Sequence, residues 1–211
     1  MSDTPAEFLD LRFALTGSAL PHDYADALSQ ALAEALPWFV DDPDVALHPL
    51  AGLSPGKDGW YLSGRTRLTL RLPVSRLDAA RILSGRTLRV GTAELKIGTA
   101  TTRELMPASV LYAHFVCFGI EPDGGLIGED AFFAHCQREL GELGITPRLI
   151  SGKAQRAQTT AGVLSGFSLM VANLDAAATL RLQQLGLGHE RKRGCGVFIP
   201  HKSMAPVGAI E

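Results

Sequence analysis

Two features of the 211-residue chain carry groups able to do chemistry: a histidine at the head of a helical pattern, and a short segment dense in glycine and cation. His22 follows Pro21, where the helical periodicity begins. An imidazole titrates near neutral pH and so suits proton transfer. The positive end of a helix favours its neutral form, which is the form a general base needs. The segment GLGHERKRGCG, residues 186–196, sets Gly186, Gly188, Gly194 and Gly196 around His189, Glu190, Arg191, Lys192 and Arg193. Glycines there remove the Cβ atoms that would keep backbone N–H groups away from a phosphate chain. Arg191, Lys192 and Arg193 would neutralise that chain.

Other readings of these residues are weaker. Gly186-x-Gly188 begins like a dinucleotide fingerprint, but Arg191 stands at the third glycine position and the segment follows a helix rather than a strand. No GxxxxGK[ST] run occurs. Gly186 reads as the cap of the preceding helix, yet four glycines exceed what one turn needs. Among the other histidines, His189 suits contact with a polyanion rather than proton transfer. His114 shares an alternating face with Tyr112 and Val116, which fits a sheet histidine. His48, His135 and His201 read as structural or exposed. No histidine pair has metal-ligand spacing with a carboxylate or cysteine nearby, so neither a metal nor another cofactor is expected.

The net charge of −2 hides an asymmetry: residues 148–202 carry +6 and the remainder −8. A local basic field of that size suits a polyanionic partner. The composition, 46% hydrophobic and 20% charged, permits an ordinary packed core. No run approaches the ~20 apolar residues of a membrane span, and MSDTPAEFLDLRF lacks the basic and apolar regions of a signal peptide. Cys117, Cys136 and Cys195 are odd in number and without metal-like spacing, as reduced cytoplasmic thiols would be.

These residues need elements to position them. FLDLRFALTG alternates, with Leu9, Leu11, Phe13 and Leu15 on one face and Asp10 and Arg12 on the other, and predicts a half-buried strand. From Pro21 to Leu36 the spacing of Tyr24, Leu28, Leu32 and Leu36 predicts a helix. VALHPL is a short strand. RTRLTLRLP alternates, with Leu68, Leu70 and Leu72 inward and Arg65, Arg67 and Arg71 outward. A short helix over about 75–83 precedes a hairpin turning at Gly91-Thr92. The same order then recurs: a strand in SVLYAHFVCFGI, a helix in EDAFFAHCQRELGELG, and two strands separated by a loop KAQRAQTTAG. A helix capped by Asp175 and a last strand in CGVFIP complete it. The expected fold is α+β, a tandem pair of ferredoxin-like βαββαβ units over 1–105 and 106–211, with a C-terminal glycine-rich loop.

The spacing G-L-G-x5-G-C-G after the last helix of such a pair resembles the CRISPR-associated repeat-processing endoribonucleases of the RAMP superfamily. GLGHERKRGCGVFIPHK, LPHDYADAL and RTRLTLRLP together are most similar to the type I-MYXAN subgroup, along nearly the whole chain. The resemblance implies metal-free cleavage of precursor RNA within each repeat, by attack of a ribose 2′-OH on the neighbouring phosphate. It implies repeat hairpin RNA as partner, with the enzyme often retained on the guide as a subunit of a type I effector complex. It places the catalytic histidine at His22, with Tyr24 as its assistant although the stripe favours a core role for that ring. No lysine stands near His22, where some relatives have one. Arg148, Lys153 and Arg156 match the half that holds the repeat stem, and Gly186, Gly188, His189, Arg191, Lys192, Arg193, Gly194 and Gly196 the RNA-contacting loop. The alternatives are a non-catalytic RNA-binding subunit of an effector or transposition complex, and an unrelated phosphate-binding enzyme of the same fold.

Overall fold

The computed structural model describes residues 7–17, 19–57, 59–121 and 125–201. Lys202, counted above in the basic segment, lies outside them. The first half contains β1 (Phe8–Gly17), α1 (Tyr24–Ala35), β2 (Ala46–Leu47), the small hairpin β3 (Ser54–Gly56) and β4 (Gly59–Tyr61), β5 (Arg67–Pro73), α2 (Leu77–Arg81), β6 (Thr87–Val90) and β7 (Ala93–Glu104). Its sheet is antiparallel in the order β2-β5-β1-β7-β6. Leu11, Phe13, Leu68, Leu70 and Leu95 bury one sheet face against Leu28 and Leu32 of α1.

The second half contains β8 (Val110–Glu121), α3 (Glu129–Glu142), β9 (Arg148–Thr159), β10 (Gly162–Ala172), α4 (Ala176–Leu185) and β11 (Ile199–Pro200), with its sheet ordered β11-β8-β10-β9. Leu111, Ala113, Val116 and Leu169 pack on Phe132, Cys136 and Leu140 of α3 and Leu182 of α4. Asp175 caps α4, accepting a 2.7 Å bond from the Ala178 N–H. Setting aside β6 and the small hairpin, each half is one βαββαβ unit, so the fold is a tandem ferredoxin-like pair. No described helix is long and apolar enough to cross a membrane.

Four local expectations change. KAQRAQ belongs to β9, whose pairing with β10 runs from Arg148 to Thr159, so only the last residues of KAQRAQTTAG turn. Alternation is broken in β8 by a bulge between Ala113 and Val116, which turns Val116 into the core while Tyr112 and His114 keep the open face. The first helix starts at Tyr24, leaving His22 in the preceding turn. Arg71, expected outward, does lie on the face opposite the leucines, but that face is covered and Arg71 is 1% exposed.

What covers it is the second unit. The Arg71 guanidinium donates to both carboxylate oxygens of Asp10 on β1 (2.8 and 3.1 Å) and to the carbonyls of Gln183 (3.0 Å) and Phe198 (2.6 Å). His48 adds a 3.1 Å bond from Nε2 to Asp10. Burial pushes the imidazole down, further than Asp10 draws it up. Burial alone would raise the Asp10 carboxyl, but His48 and the Arg71 guanidinium outweigh it and hold it well below the usual carboxylate range.

The glycine-rich segment completes the junction. It runs back beside β8, with the His189 N–H on the Cys117 carbonyl (2.8 Å) and the Gly196 N–H on that of Phe115 (2.7 Å). A Cβ on Gly188 would lie 2.3 Å from the Cys117 oxygen, and one on Gly196 2.1 Å from the Leu187 oxygen. Both glycines have positive φ, so close approach of the chain to itself is what they permit. From this segment the 3-10 turn Arg191–Arg193 reaches the first unit. Arg193 donates to Asp26 of α1 (2.6 Å) and to Glu190. Lys192 donates to the carbonyls of Val45 (2.7 Å) and Asp42, above the Phe39 ring. Arg191 donates to the carbonyls of Gln184 (2.7 Å) and Pro43 (3.4 Å). Carbonyl and carboxylate oxygens of the chain itself thus engage all three of the cations expected to neutralise a phosphate chain.

Arg71→Met should leave Asp10 buried without its guanidinium, with His48 as its remaining partner, and cost about 3–5 kcal/mol in denaturant unfolding; a loss below about 1 kcal/mol would contradict the junction. Lys192 gives a pH test. Burial draws its ammonium down to about 8, whereas an unfolded lysine holds its proton to about 10.4. Between those values the unfolded chain binds the extra proton, so stability rises with pH there. Thermal unfolding across that window should shift in favour of the wild type relative to Lys192→Met, and a pH-independent difference would count against a buried charge.

Candidate active site

The sheet faces not covered by helices look onto one cleft of about 730 Å³. From the first unit Arg12 of β1, Arg67 of β5 and Arg103 of β7 line it, with Arg65 just before β5. Arg12 stands between Thr69 and Thr101 in register, and Arg103 pairs with Asp10 across the strands. From the second unit come Tyr112 and His114 of β8 and Gln155 and Arg156 of β9. Arg67 spends one nitrogen on the carbonyls of Gly64 and Thr66, at 2.8 Å each. Among the described residues Arg12, Arg65 and Arg103 form no ion pair with a carboxylate. The cleft is thus lined by cations from both units, which suits a polyanion.

His22 lies on the cleft wall, exposed, in the turn that leads into α1. The small hairpin holds it. Leu20 and Trp60 exchange two backbone bonds of 2.8 Å. The Trp60 indole N–H donates to the His22 carbonyl at 3.3 Å. The two rings meet edge to face, 6.0 Å between centroids. Tyr24 lines the same cleft but packs against the first core. Its hydroxyl accepts the Leu50 N–H at 3.1 Å, and burial raises its pKa. The geometry brings His22 and Tyr24 to one wall, with the tyrosine oxygen already engaged.

The other expected contacts divide. Arg148, Lys153 and Arg156 are all exposed along the edge strand β9, and of the three only Arg156 reaches the cleft lining. Lys153 lies where β9 slips register by one residue against β10. His189 is exposed but outside the cleft lining, 6.4 Å from the Phe118 ring on which His135 stacks. Gly186 and Gly196 are buried inside the loop, while Gly194 backs onto Pro49 and Arg193 contributes to the cleft wall while bound to Asp26. Sequence reasoning missed Arg12 and Arg103 as cleft residues. Arg12's outward place in β1 was a signal for the first; Arg103, at the close of the first unit, was assigned to no element. Trp60 had no periodic signal at all. Among the described residues no group of three or more His, Cys, Asp or Glu side chains is arranged to hold a metal ion.

Comparison with known proteins places this geometry. A curated relative, the CRISPR-associated endonuclease Cas6 of Myxococcus xanthus (strain DK1622), is 32% identical over 193 residues, covering 92% of this chain and 81% of its own. The solved structure of a Cas6-related protein from Pyrococcus furiosus superposes with a TM-score of 0.65 at 9% identity, over 91% of this chain and 98% of that one. A solved RAMP protein described as binding different RNA substrates gives 0.64 at 12% identity, over 90% and 98%. These two likenesses show the shared fold. The sequence model of the Cas6 family, described as Cas6 Crispr, matches residues 9–203, nearly the whole of the two units, and the chain therefore belongs to the Cas6 family.

Proposed function

We propose that this protein is an endoribonuclease that binds the hairpin of CRISPR repeat RNA in the cleft and cuts it without a metal, in the cytoplasm. The observation that carries the reading is an exposed imidazole, His22, on the wall of a cleft lined by arginines from both units. The ribose 2′-OH attacks the adjacent phosphorus, the bond to the 5′-oxygen breaks, and a 2′,3′-cyclic phosphate and a 5′-OH result. Such a reaction needs a base for the 2′-OH proton, an acid for the departing oxygen, and cations for the charged phosphorane. His22 serves as one of the two proton carriers. Tyr24 lines the wall behind it, oriented by Leu50. Arg12 and Arg103 contact phosphate in the cleft. Arg148, Lys153 and Arg156 hold the repeat stem along β9. The unit over 1–105 thus brings the histidine, and the unit over 106–211 brings the stem contacts. Retention of the guide as part of a type I effector complex fits this division.

Arg12→Ala with Arg103→Ala should weaken repeat binding and shallow the log–log salt dependence by roughly 0.7–0.9 per lost phosphate contact. Arg191→Ala should instead lower the unfolding temperature and leave that slope alone. A slope that changes with Arg191 but not with Arg12 and Arg103 would move the RNA back to the glycine-rich segment.

His22→Ala should lower single-turnover cleavage by ~10²–10⁴-fold while repeat affinity stays nearly intact, because one imidazole adds little to a many-phosphate interface. A deoxynucleotide at the cut site should abolish cleavage but not binding, and EDTA should change neither. Cleavage lost in EDTA would overturn the metal-free route. A wild type that binds but never cuts would make this a guide-holding subunit.

A further inference from the structure

The small hairpin β3–β4 is an addition to the βαββαβ plan of the first unit, and it packs on the turn that carries His22 rather than on either sheet's ladder. Its attachment is built from close contacts. Leu20 and Trp60 are joined by two backbone hydrogen bonds, one in each direction. Gly59, at φ +144°, lets the hairpin come so near that a Cβ there would stand 2.0 Å from the Leu20 oxygen. Trp60 then gives its indole N–H to the His22 carbonyl, and its ring and the imidazole meet edge to face. The same side chain also packs against the first core and lines the cleft.

These contacts answer a difficulty in the geometry of His22. The residue precedes α1 and is exposed, and Asp23, at the N-cap position, makes no side-chain cap bond. A turn residue of that kind has little of its own to fix either its backbone or its χ1. A proton carrier must nevertheless stay within hydrogen-bond reach of one oxygen, and small misplacements cost large factors in rate.

We infer that Trp60 is a positioning residue for His22: its indole N–H fixes the His22 backbone and its ring limits the imidazole to the orientation that faces the cleft. The inference rests on the proposed proton-transfer role of His22. Trp60 touches no reacting atom. Its effect passes through one side chain, and that predicts a particular pattern of losses.

The test is a double-mutant cycle on the full chain with cognate repeat RNA, reading single-turnover cleavage and RNA affinity separately. Trp60→Ala should slow cleavage by up to about 10²-fold with the dissociation constant within about twofold of wild type. Trp60→Phe keeps a ring but loses the N–H, and should recover part of that rate. In the His22→Ala background Trp60→Ala should bring no further loss, since the group it positions is gone. Cleavage at the wild-type rate by Trp60→Ala, beside an impaired His22→Ala, overturns this inference alone. So does a loss that multiplies with that of His22→Ala, or one matched by lost affinity, because each points to a general structural or RNA-contacting role. Wild-type cleavage by His22→Ala overturns the role of His22 itself, and that of Trp60 with it. Should Trp60→Ala fail to fold, the same cycle run with Trp60→Phe decides the matter.

Discussion

The molecule depends on a buried charge that neither half could keep alone. Arg71 is an outward-facing strand residue of the first sheet, and its guanidinium is satisfied by Asp10 on one side and by the carbonyls of Gln183 and Phe198 on the other. A guanidinium taken out of water costs several kcal/mol unless its donors are met. The planar fork of arginine meets the carboxylate in two parallel bonds and still has donors for the second unit. Gln183 lies in the last turn of α4, where unpaired carbonyls carry the negative end of the helix dipole. The cation of one unit thus completes a helix terminus of the other, and the two open sheet faces are held to a common cleft.

The glycine-rich segment serves the same junction. Its glycines bring the chain against its own backbone, and its three cations bind oxygens of the chain. A backbone carbonyl, a carboxylate and a phosphate present similar acceptors to a guanidinium or an ammonium. A run of cations among glycines is therefore the same signal whether the acceptor is inside the protein or outside it. Its placement on the first unit also brings Arg193 and Gly194 to the cleft wall, so the segment shapes the site it was expected to form.

With those cations committed, the charge turned toward the cleft comes mostly from residues on the outward phase of strands, such as Arg12 and Arg103, and from Arg156 on the edge strand β9. These strands are rigid supports. His22 is the exception, because it stands in a turn, and the hairpin that carries Trp60 supplies the local order that the turn lacks.

Apart from the small hairpin β3–β4, the sequence by itself determined the element order, the two cores and the repetition of one unit, because alternation and helical periodicity are local consequences of which faces must leave water. Leu11, Phe13 and Leu15, or Leu28 and Leu32, announce their faces without any knowledge of the rest of the chain. It also singled out His22, whose place follows from a proline and the start of a helical stripe. Only the tertiary structure decided what the polar faces do. Arg12 and Arg71 have the same phase on neighbouring strands, yet one lines the cleft and the other is sealed in the junction, since their fates depend on residues more than a hundred positions away. The bulge in β8 that turns Val116 inward, the extension of β9 through KAQRAQ, and the reach of Trp60 to His22 are of the same kind. Each is settled by a pairing between distant segments, and no local pattern of residue types encodes which distant acceptor or ring a side chain will meet.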